Sequence, residues 1–274
     1  MLLLILVAAC NARQAEEPAT ERGDFHQWSL PDSLREISGL ALTPDQRLLA
    51  ITDELAIVYE LDYDDGRIVK SFAFGDPVMR GDFEGIAVLK DQVWLMTSDG
   101  MLFAATEGAD GQHVAYEKFA TGHGGYCELE GLAQDRAADR LLLACKETHS
   151  KKDVLMAFAW SVSPEGIELW REIVLPEQAI AGLIDEKRIN PSGVAIDPAS
   201  RDWFMVAARQ KALVRLTADG GLSEAIIMQK KGRHRQAEGI EMTRDGRLLI
   251  ADEGGNGKAR LAVYHAAPSG NNNE

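Results

Sequence analysis

Five copies of a short phrase, set at a near-constant interval, constrain this chain more than any other feature. They read Ile37-Ser-Gly-Leu-Ala41, Phe83-Glu-Gly-Ile-Ala87, Leu129-Glu-Gly-Leu-Ala133, Pro191-Ser-Gly-Val-Ala195 and Ala237-Glu-Gly-Ile-Glu241. Their glycines, Gly39, Gly85, Gly131, Gly193 and Gly239, are 46, 46, 62 and 46 residues apart. A period of this size marks a repeat architecture. Each phrase leads into a turn and a short apolar run, such as Thr43-Pro-Asp-Gln-Arg47 then Leu48–Ile51, or Thr243-Arg-Asp-Gly-Arg247 then Leu248–Ala251. Runs of this kind, bounded by Asp, Gly and Pro, are strands joined in hairpins. Further strands follow within a period: Ile57–Leu61, the turn Asp62–Gly66, and Ile68–Phe72. About four strands in ~46 residues is the content of one propeller blade.

The first strand of a repeat alternates large and small residues, Ile86 and Val88 against Gly85 and Ala87. Side chains alternate faces along a strand, so both faces of this strand meet neighbours, as between blades. The long interval exceeds the period by 16 residues, too few for a further blade; Pro176–Arg188 is read as an insertion carrying a short helix. The last repeat lacks a fourth strand, and Phe25–Leu30 precedes the first repeat without a blade of its own. The expectation is an all-β, five-bladed β-propeller of four-stranded blades over residues 24–267, with Phe25–Leu30 closing the ring in the blade of Gly239 and removing its open edge.

Residues 1–10 are apolar and end Val7-Ala-Ala-Cys10. The run is too short to span a bilayer. It suits an export signal of the lipoprotein type, in which Cys10 would be lipidated. Residues 11–23 are polar with Pro and Gly and read as a tether; residues 268–274 read as a disordered tail. The expected setting is the cell envelope, facing the periplasm, with the outer membrane favoured by Asn11 in a Gram-negative cell. The formal charge is −14. That excludes nucleic acid as an expected partner, because such binding relies on Lys and Arg neutralising phosphates. It also leaves the lipid as the only expected membrane contact. A monomer is expected. Cys127 and Cys145 fall on neighbouring strands, nearly opposite each other if the hairpin turns at Arg136–Asp139. In an oxidising compartment they form either a disulfide or two buried thiols.

The position before each repeat glycine holds Ser38, Glu84, Glu130, Ser192 and Glu238. The innermost strand of every blade starts at one face of the ring, so these five side chains should surround one channel mouth. The second strand ends at that face, bringing Asp53, Glu54, Asp99, Glu147, Arg209, Asp252 and Glu253 nearby. Carboxylates and hydroxyls without sulfur suit Ca²⁺ and not zinc. The competing role for these glutamates is to cap backbone N–H groups. A second, basic set, Arg35, Arg80, His123, Arg188 and Arg235, enters the repeats; it either binds an anionic or carbonyl-bearing ligand or pairs with the acidic ring. No G-x-S-x-G, H-E-x-x-H or phosphate-binding glycine loop is present. His123 is the candidate for proton transfer.

In these motifs the chain resembles the SdiA-regulated (YjiK-like) proteins of bacteria, distant relatives of NHL-repeat propellers, over roughly Gln27 to Ala266. The resemblance rests on Glu36-Ile-Ser-Gly-Leu-Ala41, Asp82-Phe-Glu-Gly-Ile-Ala87, Glu130-Gly-Leu-Ala133, Pro191-Ser-Gly-Val-Ala195, Gln236-Ala-Glu-Gly-Ile240 and Ala251-Asp-Glu253. It implies a five-bladed propeller with a bound calcium ion and no defined reaction. Two function classes follow. One is a calcium-binding envelope protein that holds a small-molecule or protein ligand at the channel mouth. The other is a Ca²⁺-dependent hydrolase of lactones or phosphoesters, the metal polarising the scissile group and His123 or a spare carboxylate acting as base. The absence of a base–nucleophile pair favours the first.

Overall fold

The structure is a computed structural model and describes residues 25–149, 154–228 and 233–268. The signal segment with Cys10, the tether, residues 269–274 and Lys230–Gly232 lie outside the described residues. Among the described residues no helix is long and apolar enough to cross a membrane.

Strand β1 (Phe25–Ser29) precedes the first repeat. Blade one is β2 (Ile37–Leu42), β3 (Leu48–Thr52), β4 (Ile57–Leu61) and β5 (Ile68–Phe74). Blade two is β6 (Phe83–Leu89), β7 (Gln92–Thr97), β8 (Met101–Thr106) and, outermost, β10 (Glu117–Ala120). Between its last two strands the chain detours through β9 (His113–Val114), which adds to the outside of blade one in parallel, Ala73 opposite His113. This fifth strand was not expected: it is two residues long and carries no apolar alternation. Blade three is β11 (Cys127–Asp135), β12 (Arg140–Thr148), β13 (Leu155–Ser163) and β14 (Gly166–Leu175). The insertion that follows holds helix α1 (Glu177–Leu183), whose buried Ile180 and Ala181 face the protein. Blade four is β15 (Gly193–Ile196), β16 (Trp203–Ala207), β17 (Ala212–Leu216) and β18 (Leu222–Ile227). Blade five is β19 (Ala237–Met242), β20 (Leu248–Asp252), β21 (Arg260–Tyr264) and β1, paired from Phe25 opposite Tyr264 to Ser29 opposite Arg260.

The repeat glycines are explained by how the innermost strands meet. Strands β2, β6, β11, β15 and β19 contact one another in that order, and β19 returns to β2. A methyl placed on Gly39 would stand 3.1 Å from Ile86, on Gly85 2.5 Å from Leu132, on Gly131 2.9 Å from Val194, and on Gly239 2.7 Å from Leu40. On Gly193 it would meet the Glu238 carbonyl oxygen at 2.1 Å. In four blades the glycine thus receives the residue that follows the next blade's own glycine. Any side chain there would push the innermost strands apart in a core already at close packing. The large residues of the same strands, such as Leu40, Ile86, Leu132 and Ile240, are buried between blades.

Cys127 and Cys145 are bonded, with Cα atoms 5.8 Å apart. Their register differs from the expected one: Cys127 lies opposite Thr148 and Cys145 opposite Leu129. Irregularities on both sides of Leu129 draw the two strands together along the diagonal, which a regular ladder would leave too long.

Candidate functional site

The side chains singled out before the glycines owe their direction to β-bulges. In blade one the pairing steps from Ile37–Thr52 to Gly39–Ile51 and leaves Ser38 unpaired. Glu84 is passed over between Phe83 and Gly85, Glu130 between Leu129 and Gly131, and Glu238 between Ala237 and Gly239. A bulge kinks the strand and re-aims the extra side chain. Here four of them aim at the ring centre, where Ser38, Glu84, Glu130 and Glu238 border one cavity of about 10 Å³, room for roughly one water. Ser192 differs. Strand β15 begins after it, and its hydroxyl donates to the Ala237 carbonyl at 2.6 Å and accepts from the Ala208 N–H at 3.1 Å. It is committed to backbone between blades four and five.

Burial first, then the Glu130 charge, pushes Glu84 up to about 9. The same two causes push Glu238 up to about 8. Burial also raises Glu130, to about 7, against the opposing hydrogen bond from Lys146. Lys146 was missed by sequence reasoning. It lies on β12, donates to both Glu130 and Glu128, and is 3.1 Å from the latter. Ser38 is 6% exposed, and its hydroxyl is buried without a hydrogen-bond partner. Beyond the cavity the acidity continues: burial and the neighbouring Glu36 raise Asp53, and burial and Asp53 raise Glu253.

Carboxylates and an unpartnered buried hydroxyl are donors that suit a hard cation. As the side chains stand, no three His, Cys, Asp or Glu groups among the described residues gather on one point. Glu130 instead meets the ammonium of Lys146.

Glu130 and Glu238 also wall a larger cleft of about 450 Å³, bordered by Lys146, Asn190, Arg209, Lys211, Arg235 and Gln236. Of the basic set named from sequence, Arg235 alone reaches it. Arg188 pairs with Glu147 at 3.0 Å, Arg35 lies 3.9 Å from Asp32, and Arg80 sits in an isolated bridge with Leu55. His123 is not at the channel: its ring stacks on Phe158 at 3.8 Å and meets Trp160 edge-on. Both of its ring nitrogens are buried without hydrogen-bond partners. Burial lowers its basicity, so it is neutral at physiological pH.

The family model for SdiA-regulated proteins matches residues 170–271. Over that span the chain is similar to the SdiA-regulated proteins. The match covers the insertion, blade four and three strands of blade five, including the last two repeat phrases. Among solved structures, the glutaminyl cyclase of Myxococcus xanthus is similar in fold, with TM-score 0.55 and 13% identity over 87% of this chain and 95% of that one. A luciferin-regenerating enzyme is similar with TM-score 0.51 and 7% identity, covering 84% and 91% of the two chains. A streptogramin B lyase follows with TM-score 0.50 and 12% identity over 87% and 96%. At such identities the likeness is one of fold, and this propeller shares that fold with enzymes of unrelated chemistry. No curated protein matches the sequence.

Proposed function

We propose that this protein is an exported, lipid-anchored propeller of the cell envelope that binds Ca²⁺ at its channel mouth and holds a ligand or partner there without chemical turnover. One observation carries the reading. Bulges in four blades turn Ser38, Glu84, Glu130 and Glu238 onto a single cavity, where the hydroxyl is orphaned and the carboxylates repel. A cation relieves both faults at once, because it favours the ionised carboxylates and takes the hydroxyl oxygen as a ligand. Glu84, Glu238 and Ser38 would hold the ion, with Glu130 joining as Lys146 turns away. Bound calcium would supply concentrated positive charge at the mouth for an anionic or carbonyl group. The anchor rests on Val7-Ala-Ala-Cys10, and mass spectrometry of the membrane fraction should find Cys10 lipidated at a new N-terminus. The hydrolase alternative needs a base beside the cation, and the histidine named for that role is locked in an aromatic stack.

Thermal melting of the metal-stripped protein with and without calcium tests the site. At a hundredfold excess over Kd, linkage gives about 2.7 kcal/mol of added stability. Glu84→Gln and Glu238→Gln should each remove most of the increment, and the double variant little more. An unchanged melting curve on calcium addition would leave the glutamates as capping groups and overturn the reading.

A further inference from the structure

The cleft beside the channel carries the opposite charge to the rest of its face. At the end of the second strand, blades one, two, three and five carry carboxylates: Asp53 and Glu54, Asp99, Glu147, and Asp252 and Glu253. Blade four has Ala208-Arg-Gln-Lys211 at this position. This turn is held in place. Gln210 Nε2 donates to Asn190 Oδ1 at 3.1 Å, and the Asn190 N–H donates to Gln210 Oε1 at 3.2 Å. Asn190 Nδ2 in turn donates to the Lys146 carbonyl at 3.3 Å, tying the turn to blade three. The flanking Arg209 and Lys211 face the 450 Å³ cleft with Lys146 and Arg235. Lys146 is engaged by Glu128 and Glu130. Arg209, Lys211 and Arg235 form no ion pair with any described residue.

Glu128 and Glu130 offset Lys146, but Arg209, Lys211 and Arg235 stand in one cleft without ion pairs, in a chain whose formal charge is −14. Such a concave field concentrates anions. A monocarboxylate, with one charge and two oxygens, would engage only part of this set. A phosphomonoester carries close to two negative charges on one compact head near neutral pH and offers three acceptor oxygens, and guanidinium forks match it bidentately.

We propose that this cleft is a phosphomonoester site, with Arg209, Lys211 and Arg235 gripping the phosphate and Asn190 and Gln236 bordering the group esterified to it. The proposal rests on the reading of the channel mouth as the ligand-binding end, but not on the cation being present. The ester could be soluble or the headgroup of a lipid, and the test separates the two.

Calorimetric titration of the full-length protein with glycerol 3-phosphate, with glycerol as the uncharged control, should show binding by the ester alone. Sedimentation with vesicles containing phosphatidic acid reports the lipid source. The variant Arg209→Gln/Arg235→Gln removes two exposed side chains and should fold normally by circular dichroism. Its affinity for glycerol 3-phosphate, or for the vesicles, should fall by about tenfold or more, while its calcium-induced melting shift stays as in the wild type. Absence of binding to both probes, or equal binding by the variant, overturns the phosphate site even if the calcium shift is intact. A missing calcium shift with variant-sensitive phosphate binding overturns the cation reading and leaves the cleft assigned.

Discussion

Lys146 and Glu130 are paired across the first hairpin of blade three, so the channel mouth has a cation of its own. In the proposed site the ammonium would compete with calcium for Glu130, and it shields that carboxylate in the fold as it stands. Lys146→Met should therefore destabilise the metal-free protein by about 1–3 kcal/mol, the cost of leaving a buried carboxylate short of its partner. Calcium should then recover more stability in the variant than in the wild type. Melting curves with and without calcium check both halves of the expectation.

The metal-free protein should lose stability as pH rises. Glu130, Glu84 and Glu238 titrate at about 7, 9 and 8 in the fold, against an ordinary value of 4.5. Between those limits the folded state binds more protons than the unfolded one, so the contribution is complete below about 4.5 and falls as pH climbs toward about 9. Calcium at the proposed site would take the ionised forms and should flatten the slope. Denaturant midpoints at several pH values, with and without calcium, measure it; a midpoint that rises with pH in the metal-free protein would contradict the assignment.

The disulfide borders the same ion pair, since Cys127 precedes Glu128 and Cys145 precedes Lys146. With the cysteines 18 positions apart, its removal should cost about 3 kcal/mol. Cys127→Ala/Cys145→Ala should also weaken calcium binding, because the bulge that aims Glu130 lies between the staple and Gly131. Denaturation and calcium titration of the double variant give the two numbers separately.

The glycine layer predicts opposite signs for two conservative changes. Gly85→Ala puts a methyl 2.5 Å from Leu132 Cβ and 2.9 Å from its backbone nitrogen. The innermost strands must part, at a cost of about 1–3 kcal/mol or more. Gly182 lies in α1 with nothing within 4 Å of its added methyl, so Gly182→Ala should stabilise by about 0.5–1 kcal/mol. Urea midpoints of the two variants decide it.

Much of this was legible because a repeat prints its geometry in sequence. The interval between glycines gave the blade count, and the orphan Phe25–Leu30 gave the closing strand. The residue before each glycine led to Ser38, Glu84, Glu130 and Glu238, although the pattern did not show that a bulge aims them. Ser192 shares the pattern but not the geometry, because β15 starts one residue too late to bulge. Lys146 left no signal: it is one polar residue among several on β12, and its nearness to Glu130 depends on the irregular register there. Arg235 could be placed from its position ahead of a repeat. Its grouping with Arg209 and Lys211 requires the spatial neighbourhood of blades four and five. The stacking of His123 on Phe158 could not be read from its position along the chain.

Phe25 and Tyr264 are register partners although 239 residues separate them (264 − 25). Loop-closure entropy grows only logarithmically, so this seam costs about 1.2 kcal/mol more than one closing a quarter of the chain would. Its effect on cooperativity is larger. Until β1 docks, β21 has an open edge and blade five lacks its outer strand, so no subset of blades holds a finished ring. The earliest and latest described strands complete one blade together, so the molecule should melt as one unit rather than blade by blade.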